Sequence, residues 1–188
     1  MHLFEYLMAR EIKMFRILFF SLFGLVVLFA LAFGHRAYNG YLKKKNTVNS
    51  YAIQNIKTGK NIRVHNAGIN DETKIILYSH HNWECMTWQF IKLEGDTYLL
   101  KNLYTQKTFR PSLSPVAGVD LWQQPLGGDN FQYWEFLKQS DEAYLVRLKD
   151  TELYITVSSD ENNSPIILMP LQNSTGQQWR LIEQHPLF

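Results

Sequence analysis

Three tryptophans, Trp88, Trp134 and Trp179, stand 46 and 45 residues apart in a chain of 188. Each closes a segment of similar grammar: Met86-Thr87-Trp88-Gln89-Phe90, Gln132-Tyr133-Trp134-Glu135-Phe136 and Gln177-Gln178-Trp179-Arg180-Leu181. A fixed period of this size marks a fold built from copies of one supersecondary unit.

Other landmarks run in phase. Tyr51-Ala52-Ile53-Gln54-Asn55, Tyr98-Leu99-Leu100-Lys101-Asn102 and Tyr144-Leu145-Val146-Arg147-Leu148 open the units, and a turn follows each at Lys57-Thr58-Gly59-Lys60, Tyr104-Thr105-Gln106-Lys107 and Asp150-Thr151-Glu152. Two short runs then precede each tryptophan segment, at 61–65 and 75–79, 108–111 and 119–123, and 153–157 and 166–169. The pattern predicts four short strands per unit, separated by turn chemistry such as Gly127-Gly128-Asp129-Asn130. Beyond residue 50 no 3.6-residue apolar stripe is long enough for a substantial helix. One unit cannot bury its apolar face alone, whereas three closing on a shared core can, and closure removes free sheet edges. The expected body is all-β with three-fold pseudo-symmetry over residues 51–184, in repeats of about 51–97, 98–143 and 144–184. Trp88, Trp134 and Trp179 are its expected structural core, one large aromatic per unit.

These Q-x-W-like segments, each preceded by a Leu-aromatic-like pair (Leu77-Tyr78, Leu121-Trp122, Leu168-Met169), resemble the ricin-B-type β-trefoil lectins. The resemblance runs from about Tyr51 to Glu183 and departs from the pattern at Met86, where the glutamine is expected. It implies a β-trefoil of three four-stranded repeats and one sugar pocket per unit. In that family an aspartate ends the second strand, an aromatic follows the leucine of the third, and an asparagine precedes the Q-x-W glutamine. Here the aspartate position holds Arg63, Arg110 and Thr156, and the asparagine position holds Cys85, Phe131 and Gly176. The aromatic persists as Tyr78 and Trp122 and is replaced by Met169.

Sugar binding needs an aromatic face for the pyranose C–H patch and polar groups that hydrogen-bond adjacent hydroxyls. The middle unit offers most, with Trp122, Asp120, Arg110, Asn130 and Gln132. Asp120 and Trp122 fall on one side of an extended strand, and Arg110 can pair bidentately with an acidic group. Gln132 has a second reading, as a backbone-bonding residue at the hairpin. The first unit follows, with Tyr78, Asn66, Arg63 and the loop His80-His81-Asn82-Trp83. The third, with Thr156 and Met169, reads as structural.

From residue 17 to 33 the chain carries no charge. As a helix this run spans roughly 26 Å, at the short end for crossing a bilayer. Arg10, Lys13 and Arg16 precede it and Ala30-Leu31-Ala32 supplies a small-x-small cleavage pattern. Residues 1–33 are therefore expected to be a signal peptide or a membrane anchor, with Met14 an alternative start, and 34–50 a basic linker. Arg36 and Lys43-Lys44-Lys45 beyond the run do not favour translocation. Either reading places the β domain outside the cytoplasm, secreted or membrane-anchored.

Residues 1–46 carry a net charge of +5 and residues 47–188 a net charge of −3. The β domain thus lacks the concentrated basic face that nucleic-acid binding requires. A single cysteine, Cys85, excludes a disulfide framework. His80, His81, Glu84 and Cys85 match no common zinc spacing. Nucleophile, metal-hydrolase and nucleotide motifs are absent, so neither an enzyme nor a cofactor is expected. The leading expectation is an exported lectin-type module that recognises a carbohydrate or glycoconjugate through shallow, degenerate sites. The alternative is a trefoil that binds no sugar and serves as a protein-interaction or toxin-accessory scaffold, through aromatics such as Tyr78, Trp83, Trp122 and Tyr133.

Overall fold

The computed structural model describes Gly24, residues 27–35, Ala37 and residues 48–186. The chain divides into two compact units, Met1–Lys45 and Asn46–Phe188. In the first, the described residues are helical, and no helix among the described residues is long and apolar enough to cross a membrane. The flanking cations Arg10, Lys13, Arg16 and Lys43–Lys45, and the alternative start Met14, lie outside the described residues.

Among the described residues the second unit contains twelve short strands. The first group is β1 (Ser50–Asn55), β2 (Asn61–Val64), β3 (Ile75–Tyr78) and β4 (Trp88–Lys92). The second is β5 (Thr97–Asn102), β6 (Thr108–Pro111), β7 (Leu121–Gln124) and β8 (Tyr133–Lys138). The third is β9 (Tyr144–Leu148), β10 (Tyr154–Val157), β11 (Ile166–Met169) and β12 (Gln178–Glu183). The first and last strand of each group pair in turn, β1–β4–β5–β8–β9–β12, and β12 returns to β1 with Ile53 opposite Leu181. Six strands therefore close a ring with no free edge, which is what prevents edge-to-edge association in a sheet of such short strands. The middle strands form three hairpins, β2–β3, β6–β7 and β10–β11. Single bridges join these hairpins to one another, Lys74 to Trp122, Ile76 to Pro165 and Asp120 to Ile167.

Alternation along each strand sends one side inward. Ile53, Leu100 and Val146 from the opening strands meet Ile62, Phe109 and Ile155 from the hairpins, all fully buried. Trp88, Trp134 and Trp179 are each 0% exposed in the same cluster. Phe109 lies 5.0 Å from both Trp88 and Trp134 between ring centroids. The indole of Trp88 donates to the Ile62 carbonyl at 3.3 Å and that of Trp179 to the Ile155 carbonyl at 3.0 Å. The Trp134 indole nitrogen is sealed, with no hydrogen-bond partner among the described residues.

Asparagines lock the units together. Asn102 Nδ2 donates to the carbonyl of Cys85 at 3.1 Å, in the turn before β4, while its Oδ1 accepts from the Thr105 amide at 3.1 Å. Asn55 does the same across the closing seam, donating to Gly176 at 3.1 Å and accepting from Thr58 N at 3.2 Å. Gly59 and Gln106, four residues after each asparagine, take the positive φ that the turn requires (66° and 59°). Leu148 replaces the asparagine in the third unit, so the turn before β8 lacks this brace. It is held instead by Asp129, whose side chain accepts from Phe131 N at 3.0 Å.

Candidate functional site

The glutamine before the tryptophan has the same task in two units. Gln132 accepts from Gly127 N at 2.9 Å and donates to the Pro125 carbonyl at 2.9 Å. Gln177 accepts from Gln172 N at 2.7 Å and donates to the Pro170 carbonyl at 2.9 Å. Both are buried and tie down the loop that follows the hairpin. Gln132, a sequence candidate for sugar contact, thus has its amide bonded to backbone through both its oxygen and its nitrogen. In the first unit the glutamine's place holds fully buried Met86. Gln184 takes over there from the far end of the domain, accepting from Thr87 Oγ1 at 2.7 Å and donating to the His81 carbonyl at 3.3 Å.

In the middle unit Arg110 on β6 stands opposite Trp122 on β7, which puts both side chains on one face of the hairpin. The Arg110 guanidinium forms an ion pair with Asp129 and lies 5.4 Å from the Phe131 ring centroid. Trp122 is half-buried, with its ring nitrogen sealed and without a hydrogen-bond partner among the described residues. Asp120 shares that side but is paired with Lys74 of the first unit at 3.4 Å. Asn130 is exposed in the adjoining turn. The structure therefore gathers Trp122, Arg110, Asp129 and Phe131 into one surface, sets Asn130 at its border and draws Asp120 towards the neighbouring unit. The sequence does not mark Asp129 or Phe131 as a partner of Arg110, because Asp129 stands 19 residues away across an irregular loop and Phe131 lies just beyond it, a separation that carries no periodic signal.

The first unit is built differently. Arg63 on β2 is only 7% exposed, its guanidinium 4.3 Å from the Tyr78 ring centroid and 5.7 Å from that of Trp83. His81 stacks on Trp83 at 4.1 Å. Cys85 is buried nearby. Desolvation pushes its thiol pKa up, partly opposed by the positive charge of Arg63. In the third unit, Thr156 is buried and bonded to Gln177 at 2.9 Å, and Met169 occupies the aromatic position.

Against solved structures, the chain is similar to a designed three-fold symmetric protein, ThreeFoil, at 23% identity and a TM-score of 0.69, over 71% of this chain and 98% of that one. The fold is a β-trefoil. A ricin B-like lectin of Macrolepiota procera, solved with lactose, matches at 19% identity and a TM-score of 0.62, over 71% of this chain and 94% of the lectin. An exo-β-1,3-galactanase of Clostridium thermocellum matches at 20% identity and a TM-score of 0.68 over 72% of this chain, but only 30% of the galactanase is covered. Identities this low establish the trefoil architecture and leave function to the site itself. No protein-family model matches the chain, and no curated protein sequence matches it significantly.

Proposed function

We propose that this β-trefoil is a non-catalytic carbohydrate-binding module of the ricin-B lectin kind, engaging a sugar ring on the middle hairpin. The observation that carries this reading is the surface formed by Trp122 with the Arg110–Asp129 pair. A half-buried indole presents a face to pyranose C–H groups, while a fixed charge pair offers a donor fork and an acceptor to vicinal hydroxyls. The similar fold of lectins solved with bound sugars supports it. A face of this size gives weak single-site affinity, so effective binding relies on several sites meeting a clustered glycan. The charge-free run at 17–33 supports export, as a cleaved signal or as an anchor that leaves the trefoil beyond the membrane. A glycan array probed with the full-length protein tests the proposal. Binders lost in Trp122→Ala, with circular dichroism unchanged, are expected; an array with no binder, or one indifferent to Trp122→Ala, overturns it.

A second reading rests on the β6–β7 loop, where Leu113 and Val116 are 72% and 58% exposed. Two large apolar side chains in one exposed loop suit a protein contact, as the scaffold alternative requires. Replacing both with serine would then abolish capture of a protein partner and leave any glycan binding intact.

A further inference from the structure

At the end of the six-stranded ring away from the hairpins, β1, β5 and β9 begin and β4, β8 and β12 finish. The openers Tyr51, Tyr98 and Tyr144 stand there with Phe90, Phe136 and Leu181, the residues two positions after each core tryptophan, and these six wall a recess of about 420 Å³. Its rings brace one another edge to face, Tyr51 on Phe90 at 5.3 Å and Tyr98 on Phe136 at 5.7 Å between centroids. Phe90 and Phe136 are almost wholly buried and lie 4.8 Å apart. Leu181 breaks the pattern: where the repeat would set a third phenylalanine it places a smaller, half-buried side chain, and the recess stays open on that side. Barrel mouths of this volume are common settings for small-molecule sites.

The walls are apolar and the rim is charged. None of the three phenol hydroxyls has a hydrogen-bond partner among the described residues, and none is sealed from solvent. Asn49, Lys92, Asp96 and Lys138 complete the lining. Lys92 and Asp96 have no ion-pair partner among the described residues. Lys138 meets Asp141 at 3.0 Å, but that carboxylate is 99% exposed, so the pair holds the lysine weakly. Glu183, the counterpart of the two lysines in the third unit, does not line the recess and faces His185 at 3.3 Å. The lining therefore carries one more cation than carboxylate, in a domain whose net charge is −3.

We propose that the barrel mouth binds a small aromatic monocarboxylate, its ring set among the tyrosines and phenylalanines and its carboxylate held by Lys92 and the phenol hydroxyls. Ring packing supplies the apolar burial, and a single negative charge balances the excess cation of the rim. The site goes beyond the sugar reading and lies at the opposite end of the ring from the hairpin that carries Trp122. Either site can therefore fail without the other.

The test is a titration of the full-length protein, followed by the backbone amide signals of Tyr51, Tyr98 and Tyr144 in a nitrogen–proton correlation spectrum. The probes are phenylacetate and phenylacetamide, which share a ring and differ in charge. Both should move these signals, with the acid binding about five-fold more tightly, as suits a partly exposed charge pair. Lys92→Gln should remove most of that preference, and added salt should reduce it. Leu181→Phe, which supplies the third ring, should abolish binding of both probes while circular dichroism stays unchanged. Equal affinity for the two probes in the wild-type protein, or no saturable shift from either, overturns the proposal without recourse to any variant. Undiminished binding to a folded Leu181→Phe protein, or a shift confined to the Trp122 indole, would also overturn it, since the acid would then sit elsewhere.

Discussion

The three core tryptophans are equivalent in sequence but not in bonding, and that difference has a measurable consequence. Trp88 and Trp179 each donate to a hairpin carbonyl, whereas the Trp134 nitrogen is sealed and has no partner among the described residues. Substitution by phenylalanine leaves a similar small cavity at each site, costing about 1 kcal/mol. At Trp88 and Trp179 it also removes a buried hydrogen bond and orphans a carbonyl, for a further loss of about 1–2 kcal/mol. At Trp134 it deletes a donor whose desolvation was never compensated, which returns about 1–2 kcal/mol. Trp88→Phe and Trp179→Phe should therefore lose about 2–3 kcal/mol, while Trp134→Phe stays within about 1 kcal/mol of wild type. Urea unfolding followed by far-ultraviolet circular dichroism reads the difference as a midpoint shift at constant slope. A Trp134→Phe variant as unstable as Trp179→Phe would refute the reasoning, and would mean that the Trp134 indole has a partner after all.

Two further predictions follow from the same chemistry. Asn102→Ala strands the carbonyl of Cys85 and the amides of Tyr104 and Thr105 at once, so it should cost about 2–4 kcal/mol in the same unfolding assay; a loss below about 1 kcal/mol would show that the brace between units is dispensable. Cys85 is buried with its pKa raised, so the folded state holds the thiol proton above the pH at which the unfolded chain releases it. Its stabilising contribution is present below the unfolded thiol pKa and declines as pH rises through and above that value. At pH 8, labelling by a thiol reagent should be at least about ten-fold slower than in urea-unfolded protein, and equal rates would contradict the burial.

The trefoil was legible because its grammar is local and repeated. The aromatic openers Tyr51, Tyr98 and Tyr144 and the three tryptophans recur in phase, and a strand needs only a few residues to declare its alternation. The pairing that closes the ring, β1 with β12, joins residues about 130 positions apart, and no local pattern encodes it. The same limit explains the site. Trp122 and Arg110 were identifiable by their positions in the repeat. The partners that determine what they can do, Asp129 for Arg110 and Lys74 for Asp120, come from a loop and from another unit. Gln132 had two readings for a related reason: its residue type suits both sugar contact and backbone bonding, and the backbone bonding depends on the positions of Pro125 and Gly127 in the loop. Met86 shows the converse. A departure from the repeat is covered by Gln184, which lies outside the unit altogether.

The five tryptophans give the most direct test of the functional account, because each reports on a different place. In a nitrogen–proton spectrum of the full-length protein, titration with a neutral oligosaccharide selected from the glycan array should move the Trp122 indole signal. The Trp88, Trp134 and Trp179 signals, buried in the core, should stay fixed. A bound sugar that leaves Trp122 unmoved, or that shifts the three core indoles instead, would contradict the assignment of the middle hairpin as the sugar-binding face.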